Sequence, residues 1–265
     1  MKEKSRAWFY QQYGKTKEID DLIALYNQVE YHDNDLLTDF LDPGQIHILR
    51  EIIGNEFFID DFGGYPDAEK RRVYISERDS EIKPEDFQIT AFEVEYANKF
   101  IQLRHSDILG SLANSGIELG TFGDIIHDES GRWQFFAKTE LRPFFLEQID
   151  RIGRNKVRIR EVAGKEIIIP EDTSIEKDEI VSSLRLDSIL AGISRLSRTK
   201  IKDVIEQGDV KLNWLETRNS NIIIKVDDII SLRHFGRIKV VEITTTRKGK
   251  FKVVLKHWQA KKRHN

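Results

Sequence analysis

Apolar positions at helical spacing alternate along the chain with runs of period two, and the change of period divides it into segments. In the first, residues 1–82, Ile19, Leu22, Ile23 and Tyr26 predict one amphipathic helix, and Ile46, Ile48, Leu49, Ile52 and Ile53 predict a second. Asp42, Pro43 and Gly44 break the chain between them. A turn-rich loop from Asp61 to Pro66 then leads to a strand at Arg71 to Ser76. A small α/β domain is expected here.

The second segment, residues 83–163, reads strand (Phe87 to Tyr96), helix (His105 to Gly116), two strands (Gly123 to His127 and Arg132 to Lys138), helix (Glu140 to Ile152) and strand (Lys156 to Val162). That βαββαβ order predicts a ferredoxin-like plait, a four-stranded antiparallel sheet with both helices on one face and the other face free to bind. The rings Trp133, Phe135 and Phe136 suit either core packing or base stacking, and the lack of a glycine-rich consensus beside them favours packing. In the last strand Lys156, Arg158 and Arg160 alternate with Val157 and Ile159, giving one basic and one apolar face. Its cations can contact RNA or form a solvated face.

Residues 164–182 contain Pro170 and the acids Glu171, Asp172, Glu176, Asp178 and Glu179 and read as an acidic linker, or else as a strip competing for a basic partner. From residue 183 on, Leu186, Ile189, Leu190 and Ile193 form one buried helical face. Ser197 is placed to cap a second helix that buries Ile201, Val204 and Ile205 and ends at Gly208. Strands are expected at Asp209 to Asn213, Asn221 to Ile224, Ile229 to Leu232, Arg237 to Thr244 and Phe251 to Trp258. The fold class is α+β in three small domains.

Composition narrows the chemistry. Of 265 residues 39% are apolar and 33% charged, which supports buried cores and excludes a disordered or fibrous chain. The absence of cysteine removes disulfides, zinc ribbons, iron–sulfur clusters and thiol catalysis. Neither a signal peptide nor a run of ~18 apolar residues is present, so the expected address is cytoplasmic, without membrane contact. No metal and no cofactor is expected.

Charge supplies the functional direction. The net charge of −3 hides 19 Lys and Arg against eight Asp and Glu from Ser183 to Asn265, a surplus of 11 on a body that carries −14. Cations so concentrated repel one another unless solvated or neutralised by a polyanion such as nucleic-acid phosphate. Arg185, Arg195, Arg198, Lys200 and Lys202 fall within 18 residues at the helix-loop-helix edge. Arginine grips phosphate oxygens with a two-pronged fork, and lysine acts as a point charge.

The stretch RLDSILAGISRLSRTKIKDVIEQGDVKLNW from Arg185, followed by VDDIISLRHFGRIKV from Val226, resembles the RNA-binding domain of small-subunit ribosomal protein four, the S-four domain. Upstream, TDFLDPGQIHIL from Thr38, GGYPDAEKRRVYI from Gly63 and RHSDILGSLANSGIELGTFGDI from Arg104 are similar to the YlmH family of bacterial RNA-binding proteins. The resemblance implies a non-enzymatic protein that binds the large ribosomal subunit, with its ribosomal RNA and tRNA as partners, and serves ribosome-associated quality control by C-terminal tailing of stalled chains. A monomer is expected. The candidate RNA-contact residues are Arg185, Arg195, Ser197, Arg198, Thr199, Lys200, Lys202, Lys211 and Arg218, with Lys156, Arg158 and Arg160 added by the reading of the plait. Family genes also lie beside cell-division genes, which leaves a division-linked role as an alternative, and an S-four tail also accompanies RNA-modifying enzymes.

Enzyme chemistry finds little support. Asp60 with Asp61, and Asp124 with His127, come with no nucleophile, phosphate loop or metal motif. Asp187 lies in the first helix of the tail, an unsuitable place for the catalytic aspartate of a pseudouridine synthase. Gly63, Gly64 and Glu69 to Arg72 suit a functional loop and a plain turn equally.

Overall fold

A computed structural model describes residues 5–32, 34–77, 81–98 and 100–260. It divides into two compact units, Met1–Pro170 and Glu171–Asn265.

The first unit opens with α1 (Arg6–Tyr13), α2 (Lys17–His32), β1 (Leu36–Leu41), α3 (Pro43–Ile53), β2 (Phe58–Phe62) and β3 (Arg71–Ser76). Helix α2 buries Ile19, Leu22, Ile23, Tyr26 and Val29 on one stripe. Asp42 starts α3 through a capping box with Gln45, and Pro43 enters where its missing N–H costs no helix bond. The strands pair antiparallel in the order β1-β3-β2.

The chain continues through β4 (Ile89–Glu95), α4 (His105–Ala113), β5 (Phe122–His127), β6 (Trp133–Lys138), α5 (Arg142–Gln148), the short hairpin β7 (Arg151–Ile152) and β8 (Asn155–Lys156), and β9 (Arg158–Val162). The sheet order β5-β6-β4-β9, antiparallel throughout, is the split βαβ plait expected from the sequence. Phe92, Phe135 and Phe145 meet at ring centroids of 5.1–5.2 Å on the helix-covered face, beside Ile108 and Leu112.

The opposite face is not free, contrary to expectation. Phe40, Tyr65 and Ala68 from the N-terminal elements, together with Ile168, cover Ala91, Ile126, Phe136 and Val162. Tyr65 stacks on Phe136 at 5.0 Å. Gly64 has φ +100 and lies so close to the Phe136 ring that a Cβ would collide with it, while a Cβ on Gly123 would meet Phe40 Cε1 at 2.7 Å. Buried Arg72 donates to Thr38 O at 2.8 Å, Phe87 O at 2.8 Å and Gln88 O at 3.2 Å, joining the first sheet to the start of β4. Residues 1–82 and 83–163, expected as separate domains, thus lie in one unit. The reason is legible in β6, whose first five residues are all buried, as a strand sandwiched between two layers requires.

The second unit contains β10 (Ile175–Val181), α6 (Leu186–Ser194), α7 (Arg198–Glu206), β11 (Val210–Leu212), β12 (Leu215–Glu216), β13 (Ile229–Leu232), β14 (Gly236–Thr245) and β15 (Phe251–Gln259). All six strands pair antiparallel in the order β10-β15-β14-β13-β11-β12. Leu186, Ile189, Leu190, Ile193, Ile201 and Ile205 from the helices close a core with Val210, Ile230, Ile238, Val240, Val253 and Leu255.

Two expectations fail in this unit. Residues 175–181, read as part of an acidic linker, form β10 in continuous register with β15. The acids that suggested solvated chain face lysines instead: Asp178 pairs with Lys252 at 2.8 Å and Asp172 with Lys256 at 2.9 Å. Lys256 and the backbone and side chain of Ser174 hold the Asp172 carboxyl well below the usual carboxylate range. The segment Asn221 to Ile224 is not a strand. It meets Arg185 in a single bridge, and Ile222 O and Ser220 O accept from the N–H groups of Leu186 at 2.8 Å and Asp187 at 3.2 Å. These are first-turn donors that a helix cannot satisfy internally.

Candidate nucleic-acid interface

The edge formed by α6, the loop at 195–197 and α7 is organised around Asp187. This side chain is fully buried, where an unpaired carboxylate would be costly. Arg185 donates to it from Nε at 3.1 Å and Nη2 at 2.9 Å, and Arg198 from Nη2 at 2.9 Å. Burial alone would push the Asp187 carboxyl up, but the bonds from Arg198 and Arg185 outweigh it and hold it below the ordinary value. The arginine side chains keep 33% and 50% of their surface exposed, so part of each guanidinium still faces solvent. One buried carboxylate thus fixes two guanidinium groups that would otherwise repel.

Around this brace the remaining cations are unconstrained. Arg195 ends α6 in the left-handed conformation at φ 59. It is exposed, as are Thr199, Lys200 and Lys202, and none of the four has a side-chain partner among the described residues. Ser197 caps α7 by accepting from Lys200 N at 3.3 Å, so its hydroxyl already has a structural task. At a turn of 3.6 residues Lys202 falls on the stripe of Arg198, whereas Lys200 falls on the opposite flank of the buried Ile201 and Ile205 stripe. Lys211 is exposed on β11, and exposed Arg218 pairs with Glu216 at 3.0 Å.

The basic strand of the plait separates into parts. Lys156 sits in the β7–β8 hairpin and Arg158 at the start of β9, both exposed. Arg160 is engaged by Glu93 at 3.4 Å, Glu95 at 3.2 Å and Glu166 at 2.9 Å, so the expected face of three free cations reduces to two. Glu93 also accepts from Arg132 at 2.6 Å and Gln134 at 2.8 Å, and these bonds hold it below the ordinary carboxylate value despite its burial.

The carboxylates considered for catalysis have structural duties. Asp124 accepts from Tyr65 Oη at 2.8 Å and from the N–H groups of Glu69 at 2.7 Å and Lys70 at 3.1 Å, closing the 63–70 loop against β5. Asp61 pairs with Arg50 and Arg71. Asp60 accepts from the Asp61 N–H at 2.8 Å, and His127 packs on Trp133 at 4.6 Å. Two features escaped the sequence reading: the bracing role of Asp187, legible only as an acid among arginines, and the exposed basic turn Arg247, Lys248 and Lys250 between the last two strands.

Comparison with known proteins bears on this arrangement. Residues 83–166, the plait and its exit, match a family described as "Putative RNA-binding domain in YlmH". The cell division protein ylmH from Streptococcus pneumoniae has a similar structure, with a TM-score of 0.50 and 30% identity over 57% of this chain and 93% of its own. The ribosome-associated protein quality control protein P2 of Bacillus subtilis (strain 168) is 32% identical over 248 residues, which is 92% of this chain and 96% of that protein. Identity sustained along nearly the full length of both chains, with the family's own domain falling on the plait, makes this protein a member of the YlmH family.

Proposed function

We propose that the protein binds ribosomal RNA and tRNA on the large ribosomal subunit through the α6–α7 edge, catalyses no reaction itself, and serves the tailing of stalled chains in ribosome-associated quality control. The observation that carries this reading is the Asp187 brace. It fixes the guanidinium forks of Arg185 and Arg198, while the unpartnered Arg195 and Lys202 on their side of the edge and Lys200 on the other flank of α7 add charges suited to phosphate oxygens. The name of the Bacillus subtilis relative, a ribosome-associated quality control protein, supports the cellular setting. Lys156 and Arg158 supply a weaker second contact, and tethering the two on one chain raises affinity without any single strong site.

Sequencing the RNA crosslinked to the protein in cells tests this. Enrichment of large-subunit ribosomal RNA and tRNA is expected. The name of the Streptococcus pneumoniae neighbour, a cell division protein, favours a second reading, a division-linked role. RNA at background level with co-purifying division proteins would replace the first reading by the second. A modified base that vanishes on deletion of the gene would refute the non-enzymatic assignment.

A further inference from the structure

The β14–β15 ribbon ends in a basic tip to which the proposed function gives no role. β14 pairs with β13 only from Gly236 to Lys239, whereas its pairing with β15 runs on to Thr245 opposite Phe251. The turn that closes the ribbon is tied by its own hydrogen bonds. Thr246 N donates to Lys250 O at 2.7 Å and Gly249 N to Thr246 O at 3.0 Å, and the Thr246 hydroxyl bonds the Lys250 N–H at 3.1 Å and C=O at 3.0 Å. Gly249 takes the left-handed φ of +71 that a short hairpin loop with a bulge needs.

Arg247, Lys248 and Lys250 are exposed on this turn and have no side-chain ion pair among the described residues. No acidic residue lies between Ile243 and Lys252. The sheet register places the tip near the helix edge. Phe251 pairs with Val181, and four residues further the chain reaches Arg185. Antiparallel partners lie ~5 Å apart and four extended residues span at most ~14 Å, so the base of the tip is within ~20 Å of Arg185.

We infer that this tip is a second RNA contact of the unit, gripping the phosphate backbone of a double-stranded segment next to the RNA held by α6 and α7. Residues 246–250 contain no aromatic ring, so the tip offers charge without the stacking platform that single strands require. The inference rests on the RNA-binding reading above.

The test uses the full-length protein, with purified bacterial large ribosomal subunits and an RNA stem-loop as probes at one fixed salt concentration. Arg247→Ala/Lys248→Ala/Lys250→Ala is expected to bind both probes ~10 to 100-fold more weakly, as loss of several phosphate contacts implies, with the melting temperature of the parent protein. Lys248→Glu, which leaves every hydrogen bond of the turn in place, is expected to weaken both as well. Parent-level binding by these variants, while Arg195→Ala binds weakly, overturns the tip contact and leaves the helix edge standing. Loss on the large subunit with unchanged stem-loop binding also overturns it, by assigning the tip to a protein partner. Failure of the unaltered chain to bind either probe removes the RNA reading itself.

Discussion

Arg198 donates from Nη2 to Asp187 Oδ1 at 2.9 Å, tying the first residue of α7 to the second residue of α6 across the Arg195–Ser197 loop. A cation expected to serve RNA alone thus also closes the helix-loop-helix, so stability and recognition share a residue.

Removing the carboxylate should expose this double role. Asp187→Ala leaves Arg185 and Arg198 without their carboxylate, and because both arginines keep solvent contact the cost is that of the lost charge-assisted hydrogen bonds, ~1.5 to 3 kcal/mol. Urea unfolding of the full chain, with hydrogen exchange of the α6 amides, reads the loss. The folded-state value of Asp187 is depressed, so its contribution is present above the ordinary 3.8 and disappears as pH falls through that lower value. Asp187→Asn should flatten this acid limb.

Arg195 and Arg198 should separate in the same assays. Arg195 is exposed and unpartnered among the described residues, so Arg195→Ala is expected to weaken large-subunit binding ~10-fold with an unchanged melting temperature. Arg198→Ala should lower both affinity and melting temperature, because Asp187 keeps only Arg185. Equal melting temperatures would remove the structural half of the claim.

On the plait, Lys156→Ala/Arg158→Ala should weaken large-subunit binding ~10 to 100-fold, the loss expected of a linked module. Arg160→Ala is expected to leave binding unchanged and to lower stability only slightly, because its carboxylate partners are partly exposed and the pairs are screened by solvent. A titration in which the double variant matches the parent protein would return these cations to a solvated face.

His257 is expected to make the stability of the second unit fall as pH drops below the ring's ordinary value of 6.5. It is buried against Phe235 at 4.5 Å, accepts from Lys177 Nζ at 3.3 Å and bonds Phe235 O at 3.2 Å. Burial lowers its folded-state value, opposed by the Phe235 carbonyl and aided by Lys177. Stability from the neutral ring is therefore complete above the ordinary 6.5 and falls away as pH drops toward the lower folded value. Protection of the β10 and β15 amides, measured against their intrinsic exchange rates, should fall on acidification, and His257→Leu should abolish that response.

Local signals made much of this fold legible. The βαββαβ order, strand β3 at Arg71 to Ser76, the Ser197 cap and Gly208 at φ +82 all follow from short-range pattern. What escaped depends on contacts distant in sequence. β10 is acidic and half exposed, and it becomes a strand only because β15, 70 to 82 residues later, offers lysines and an open edge. The site was legible as a list of cations. Which of them are free is decided by the carboxylates that fold against them: Asp187 on Arg185 and Arg198, and Glu93, Glu95 and Glu166 on Arg160.

The most direct test of the central claim is the salt dependence of large-subunit binding by the full chain and by Arg195→Ala/Lys200→Ala/Lys202→Ala. Each neutralised phosphate contributes a slope of about −0.7 to −0.9 in log affinity against log salt. The variant, which leaves the Asp187 brace intact, is expected to bind more weakly at low salt with a slope shallower by ~2. An unchanged affinity and slope would contradict the assignment of the α6–α7 edge as the RNA interface.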